Sequence, residues 1–301
     1  MTEQHPDEPA IFPDRPRVAV PCGAELGEGA IWDGRTGTLL WVDIPAGTLW
    51  RWSPGAGGDA SSTHVGEPVG FVLLTPDPDA VLVGLRSGLA RLDLRGGAPT
   101  VLARPEPDRP GNRLNDGTAG PDGSVYFGTM DDAKKERTGR FYRWSPTGLA
   151  PFGDEAAITN GPAIDGPAGL LYATDTRNRT VRRHRLGPDG VPGPGEPFVT
   201  LGGGDGHPDG MVVDAEGHVW ICQYGAGRVT RFTPEGRPVL ALHVPTANPT
   251  KVAFGGPDLR TLYITTAASG LDRTIDIHAG HVLAVEIGIA GRPADLCTTT
   301  G

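Results

Sequence analysis

The feature that most limits how this chain can fold is a repeat of just over forty residues. Short runs rich in β-branched and aromatic residues recur six times, and their equivalent positions, from Trp41 to Ile264, are 42 to 48 residues apart. The runs are LLWVDI, AVLVGL, SVYFGT, LLYATD, HVWICQ and TLYITT. Each is followed by turn residues and a second strand-like run, and apolar residues nowhere keep a helical spacing over three turns. Such units are typical of propeller blades, so we predict an all-β, six-bladed β-propeller.

The rest of the chain fits one propeller domain over residues 16–301. The 46 glycines and 30 prolines fall mostly between the apolar runs, so we interpret them as turn residues rather than as a sign of disorder. The segment RVAVP, from Arg17, has no repeat of its own, and we expect it to pair with the last blade and close the ring. Residues 1–15 are acidic and Pro-rich, which predicts a mobile tail and not a signal peptide.

Charge and cysteine content exclude several classes of protein. The formal net charge of −9 argues against a nucleic-acid partner, because phosphates require basic surfaces. No apolar run approaches the roughly 18 residues of a membrane span. The three cysteines are far apart and form no CxxC pair, which predicts a reducing, cytoplasmic location without a disulfide framework.

Four polar residues occupy equivalent positions of four repeats. Glu28, Asn115, Asn160 and Asp209 each precede the reference position of their repeat by 12 or 13 residues. The first strand of a propeller blade lines the central channel, so these side chains are expected to converge on the axis. Two carboxylates and an amide (Glu28, Asp209 and Asn160) are suitable oxygen ligands for a hard divalent cation. Taken singly, each Asn-Gly or Asp-Gly pair also fits an ordinary turn.

Five ordered motifs resemble those of the SMP-30/gluconolactonase/regucalcin family. They are LGEGAIWD, NRLNDG followed by GTMD, ITNGPAI, HPDGMVVDAEGHVW and FGGPDLRTLYIT. The resemblance extends over nearly the whole chain and implies a six-bladed propeller with a metal ion in its channel. It places the metal ligands on Glu28, Asn160 and Asp209, and two substrate contacts on Arg113 and Asn115.

The chain departs from the family pattern at a third substrate contact. An acidic residue that some members carry after the G-T-M run aligns here with Ala133. Asp131 and Asp132 are close by in sequence, and we take Asp131 as the candidate for this contact. The identity of the substrate therefore does not follow from the resemblance.

Three other departures surround the expected site. Pro162 follows the Asn-Gly pair where an aliphatic residue is usual in the family, and residues 268–281 lack an acidic stretch that is common there. Lys251 stands where many relatives have a small residue. We consider two roles for Lys251, a substrate contact or a side chain that extends to solvent at the rim of the channel.

The expected activity is hydrolysis of a sugar-derived lactone to its hydroxy acid by a water molecule that a metal ion activates, a carboxylic-ester hydrolase reaction. Asp209 is the candidate to accept the proton of that water. The cofactor is expected to be one divalent ion, Ca²⁺, Zn²⁺, Mn²⁺, Mg²⁺ or Fe²⁺, and the protein a monomer or weak homo-oligomer that binds a small molecule. Two alternatives stay open: a hydrolase or cyclase for a phosphotriester or specialised metabolite, and a Ca²⁺-binding protein without enzyme activity.

Overall fold

The fold is seen in a computed structural model, which describes residues 8–55 and 58–298. These residues form twenty-five β-strands and no helix. In this part of the chain, nothing resembles a helix long and apolar enough to cross a membrane. The strands are β1 (Ala10–Ile11), β2 (Arg17–Val20), β3 (Gly27–Asp33), β4 (Thr38–Asp43), β5 (Thr48–Trp52), β6 (Ser61–His64), β7 (Val69–Leu74), β8 (Ala80–Leu85), β9 (Gly88–Asp93), β10 (Thr100–Ala103), β11 (Asn112–Ala119), β12 (Val125–Asp131), β13 (Gly139–Ser145), β14 (Gly148–Ala156), β15 (Thr159–Asp165), β16 (Leu170–Asp175), β17 (Thr180–Leu186), β18 (Pro192–Thr200), β19 (His207–Val213), β20 (Val219–Tyr224), β21 (Arg228–Phe232), β22 (Pro238–His243), β23 (Pro249–Gly255), β24 (Thr261–Thr266) and β25 (Val282–Glu286).

The strands form six sheets that correspond to the six sequence repeats. Blades 1 to 5 are β3–β6, β7–β10, β11–β14, β15–β18 and β19–β22, and blade 6 is β23–β25 with β2 as its outer strand. The first strands of successive blades contact one another in an unbroken circle, β3, β7, β11, β15, β19, β23 and back to β3. The predicted six-bladed propeller is therefore confirmed.

The predicted closure of the ring by an N-terminal strand is also confirmed. β2 pairs antiparallel with β25, and Val18 lies opposite Leu283. The prediction of a mobile tail over residues 1–15 is wrong for its C-terminal part. Ala10 and Ile11 form a short strand that pairs in parallel with β22 and widens blade 5 to five strands. Residues 1–7 of that tail lie outside the described residues.

The core is divided into six apolar clusters, each packed between two neighbouring blades. Between blades 6 and 1, for example, Trp32 stacks on Tyr263 with ring centroids 5.6 Å apart. β-Branched and aromatic residues supply these clusters because alternate side chains of a strand project from opposite faces, and both faces of a blade are covered. The channel is thus held by a ring of apolar interfaces.

The segment after β25 connects several blades on one side of the ring. Arg292 Nη1 donates to Asp165 Oδ1 of blade 4 at 2.6 Å, and Cys297 N donates to Leu74 O of blade 2 at 2.8 Å. Cys297 is fully buried in the apolar cluster between blades 2 and 3. The segment therefore adds contacts between blades that are not adjacent in sequence.

Replacement of Cys297 by serine should lower the free energy of unfolding by about 1–3 kcal/mol, because a hydroxyl would be buried in an apolar cluster. Guanidinium denaturation under reducing conditions measures the change. Cys22→Ser is the matched control, since that thiol is half-buried and already donates to Gly280 O, a bond that a hydroxyl can keep. Equal losses for the two variants would contradict this view of the C-terminal segment.

Candidate active site in the central channel

Each channel-lining strand is bulged at the same level, and four of the bulges carry the polar residues singled out in the sequence. The irregular steps run from Glu28 to Ile31, Leu114 to Gly117, Asn160 to Ala163 and Pro208 to Met211. Glu28 and Asn160 open their bulges, whereas Asn115 and Asp209 are the next residue of theirs. This offset accounts for the spacing of 12 in two repeats and 13 in the others. Bulges redirect side chains, and here they accompany polar groups that face the channel.

Five of the seven predicted site residues line one cavity of about 290 Å³ at one end of the channel. They are Glu28, Arg113, Asn115, Asn160 and Asp209. All five side chains are buried. The remaining lining residues are Leu26, Ile44, Met130, Lys134, Ile158, Thr176, Arg177, His207, Tyr224 and Ser269. The five predicted side chains form what we call the polar floor of the cavity, and the remaining residues form a partly apolar wall, as in other small-molecule sites.

A chain of hydrogen bonds fixes the amides of the floor. Arg113 Nη1 donates to Asn115 Oδ1 at 2.6 Å, and Asn115 Nδ2 donates to Asn160 Oδ1 at 2.7 Å. Asn160 Nδ2 donates in turn to Thr176 Oγ1 at 3.0 Å. The Asn160 carbonyl oxygen accepts one of these bonds, so its second lone pair remains for a ligand.

The glycine after Asn160 is required by the close approach of two blades. Gly161 has φ of +57°, and a Cβ at this position would lie 2.9 Å from Asp209 O. Any other residue would be strained in this left-handed conformation and would push blades 4 and 5 apart. The Asn-Gly pair is therefore both a bulge and a means of bringing Asn160 close to Asp209.

The two carboxylates of the floor are destabilised as anions. Burial, followed by the charges of Asp209 and Asp116, raises the pKa of Glu28 well above its usual range. Burial and Asp116 raise the pKa of Asp209 from its ordinary 3.8 to about 8, while Lys251 opposes the shift of both groups. A cation between these carboxylates would relieve their repulsion.

The donor set fits a hard divalent cation. Asp209 lines the cavity, and its buried Oδ1 has no hydrogen-bond partner among the described residues, so this oxygen has lone pairs available for a cation. In the described part of the chain, no three His, Cys, Asp or Glu side chains are grouped in a way that could hold an ion by themselves. The candidate set is instead two carboxylates and the Asn160 amide, an oxygen-only combination that Ca²⁺ or Mg²⁺ accepts.

The metal-free protein should become less stable as the pH rises, in part because of Asp209. Its pKa is higher in the folded protein than its ordinary value, so its stabilising contribution is complete below about pH 4 and is lost as the pH rises through about 8. In the presence of a chelator, the Tm of the wild type should fall relative to that of Asp209→Asn over this range. Thermal denaturation at several pH values measures the difference, and a difference independent of pH would contradict the assignment.

The structure places the two other predicted residues, Asp131 and Lys251, outside the lining of this cavity. Asp131 accepts backbone hydrogen bonds from Ala133, Lys135 and Glu136 and so holds the loop after β12. Its neighbour Asp132 contacts a residue of the site instead, since Arg113 Nε donates to Asp132 Oδ1 at 2.7 Å. Among the candidates near Ala133, Asp132 is therefore the acidic residue that orients the buried guanidinium.

Lys251 is buried deeper in the channel, which excludes the role at the solvent rim. Its ammonium donates to Asp116 Oδ2 at 2.7 Å. It lines a second cavity of about 370 Å³, which also includes Pro162 and the inner-strand residues beyond the bulges. Because the inner strands run in the same direction, this cavity lies on the far side of the bulges from the first.

Several lining residues were not among the predicted site residues. His207 Nδ1 forms a hydrogen bond of 3.1 Å with Thr176 O, and Tyr224 and Lys134 complete the wall beside it. From the segment 268–281, Ser269 is the member that lines the cavity. Asp116 lies outside this lining, but the sequence carries a signal for it, because it belongs to the same Asn-Asp-Gly motif as Asn115 and lies in the same bulge.

The sequence matches a family model over most of its length. The model is described as SMP-30/Gluconolactonase/LRE-like region and matches residues 26–268. The chain is 37% identical to L-arabinolactonase of Azospirillum brasilense over 277 residues, which cover 88% of this chain and 90% of that protein. It is 35% identical to 6-deoxy-6-sulfogluconolactonase of Pseudomonas putida over 244 residues, covering 80% of this chain and 83% of the relative.

A solved structure shares the fold over almost the whole chain. The calcium-binding protein regucalcin of Agrobacterium tumefaciens superposes with a TM-score of 0.90 at 30% sequence identity. The match covers 96% of this chain and 99% of that structure. The two proteins thus share their architecture over nearly all of the matched length.

Proposed function

Because this chain belongs to the SMP-30/gluconolactonase/LRE-like family, we propose that it is a metal-dependent lactonase that opens a sugar-derived lactone to the hydroxy acid. The observation that carries the proposal is the convergence of Glu28, Asn160 and Asp209 on one cavity with Arg113 and Asn115. Relatives named for lactone hydrolysis support the reaction class. The cavity volume of about 290 Å³ favours a small substrate.

The metal site consists of Glu28, Asn160 and Asp209. When bound there, a divalent cation supplies Lewis-acid chemistry, which polarises a carbonyl and lowers the pKa of water. The buried Asp209 Oδ1, which has no protein partner among the described residues, is free to serve this site. Metal analysis of the purified protein identifies the ion.

Asp209 is also the proposed general base of the reaction. Its side chain lines the same cavity as Arg113 and the other two proposed ligands, so its carboxylate is placed to accept a proton from a water molecule bound there. The proton transferred from the attacking water goes to Asp209, and it later returns to the alkoxide that leaves when the ring opens. No serine or cysteine nucleophile is required by this scheme.

Arg113 and Asn115 position the substrate. The Arg113 guanidinium uses Nε for Asp132 and Nη1 for Leu114 O and Asn115 Oδ1, so Nη2 is the nitrogen left for a substrate oxygen. Because Arg113 is buried and held on three sides, it meets developing negative charge with little reorganisation. Asp132 acts through Arg113 and is a positioning residue.

A second candidate function is calcium binding without catalysis. The similar solved structure is that of a protein described as calcium-binding. A buried site of two carboxylates and an amide suits Ca²⁺ equally well. The presence of Arg113 at the same cavity favours the enzyme, since a guanidinium has no use in a site for cations alone.

The proposal also includes a cytoplasmic location and a small assembly. Cys22, Cys222 and Cys297 are all unpaired, which suits the reducing cytoplasm. We propose a monomer or weak homo-oligomer that acts on a small molecule.

A substrate panel tests the reaction class. The purified protein is supplied in turn with Ca²⁺, Zn²⁺, Mn²⁺ and Mg²⁺ and offered aldonolactones, aliphatic lactones and phosphotriesters, while acid release is followed with a pH indicator. Preferential turnover of aldonolactones is the expected result. Turnover confined to phosphotriesters would replace the proposed substrate class, and cation binding without any turnover would favour the calcium-binding alternative.

A further inference from the structure

A buried ion pair spans the channel just beyond the proposed metal ligands. Lys251 of blade 6 donates from Nζ to Asp116 Oδ2 of blade 3 at 2.7 Å. The two residues are 7% and 1% exposed. Blades 3 and 6 face each other across the ring, so the pair crosses the channel axis.

The ion pair is connected to the ligand-bearing bulges through their backbone. Asp116 Oδ2 accepts a hydrogen bond of 2.9 Å from Gly161 N, the residue after Asn160. The Lys251 side chain packs against Gly210, the residue after Asp209, where any Cβ would collide with it. Asp116 and Lys251 therefore contact the residues that directly follow two of the proposed ligands.

The charges of the pair act on the ligands in opposite directions. Beside burial, Asp116 disfavours the ionised forms of Glu28 and Asp209, and Lys251 favours them. The charge of Arg113 is matched by its salt bridge to Asp132. With both ligands ionised, as metal binding requires, the other buried charges at and beside the ligands are three carboxylates and one ammonium. The net charge of the channel is then −2, which a divalent cation neutralises.

We propose that Lys251 sets the net charge of this channel site and thereby selects divalent over trivalent cations. This inference rests on the cation site of the proposed function. A trivalent ion would leave one uncompensated positive charge in a buried site, which is costly. Without the ammonium, the site would carry −3 and would match a trivalent ion instead.

Four proteins form a charge series that tests the proposal. Asp116→Asn gives a net charge of −1, the wild type −2, Lys251→Met −3, and the double variant Asp116→Asn/Lys251→Met returns to −2. Each protein is stripped with a chelator and titrated by calorimetry with Ca²⁺ and, separately, La³⁺. The ratio of La³⁺ to Ca²⁺ affinity should rise by about tenfold with each added negative charge, the size expected of a unit charge acting over roughly 10 Å at an effective dielectric constant of about 20.

The double variant separates charge from packing. It lacks the lysine side chain but has the wild-type net charge, so its affinity ratio should equal that of the wild type. If Lys251→Met does not fold with its unpaired Asp116, then Asp116→Asn and the double variant still test the trend. An affinity ratio that is the same in all four proteins overturns the proposed role of Lys251 but leaves the proposed function standing. The same conclusion follows if the two variants that lack the lysine share one ratio despite their different net charges. A wild type that binds neither cation overturns this role and the proposed function together.

Discussion

Replacement of Asp209 by alanine should lower turnover of the lactone substrate by about a thousandfold or more, while the propeller stays folded. The variant removes the proposed general base, which is worth about 10²–10⁴-fold by itself, and also one of the proposed metal ligands. The fold should persist because the ionised carboxylate is destabilised by burial and by Asp116. Initial rates of acid release, together with the thermal denaturation curve, measure both effects.

Asp205→Ala is the matched control for this variant. Asp205 precedes the same inner strand, and its carboxylate pairs with Arg228 at 2.6 Å, outside the cavity lining. Its loss should change turnover by no more than a few-fold. Near-normal turnover by Asp209→Ala would remove Asp209 from the catalytic machinery.

Replacement of Arg113 by methionine should lower kcat/KM by about 10²–10³-fold, the usual effect of removing a buried donor that stabilises developing charge on oxygen. Methionine is chosen because it approximates the length of the side chain without its donors. The loss has two sources, the missing contact to substrate and the release of Asn115, whose Oδ1 accepts from Arg113 at 2.6 Å. Steady-state kinetics with a well-hydrolysed lactone measure it.

Arg86→Met provides the comparison. Arg86 also pairs with Asp132, but it is exposed and outside the cavity lining. Exposed ion pairs contribute little, so this variant should lose less than about threefold. Equal losses for the two arginines would mean that the arginine–Asp132 network matters for the loop and not for the substrate.

The ring and its polar floor could be predicted because both depend on periodicity. A residue's place within a propeller repeat fixes its height in the channel, so Glu28, Asn160 and Asp209 could be brought together without any contact information. The same logic predicted the closing strand β2, since a strand without a repeat of its own must complete the last blade. The two-residue strand β1 was missed, because so short a parallel pairing in an acidic, Pro-rich segment leaves no alternation to detect.

The details that escaped prediction depend on the direction of single side chains. Asp131 and Asp132 are neighbours at the end of β12, and one of them holds the loop while the other reaches Arg113. Lys251 was expected to contact the substrate or to extend to solvent, whereas its partner is Asp116, 135 residues away along the chain. Neither outcome follows from local sequence, because a bulge or the end of a strand can turn a side chain to either face.

The central claim is that this chain hydrolyses a lactone with the help of a metal ion held by Glu28, Asn160 and Asp209. The most direct test measures acid release from an aldonolactone by protein stripped with a chelator, shown to be metal-free by elemental analysis, and then reloaded with one divalent ion. We expect no turnover above the spontaneous rate in the stripped protein, and recovery that saturates at one ion per chain. Full turnover by the metal-free protein, or none with any of the divalent ions, would contradict the claim.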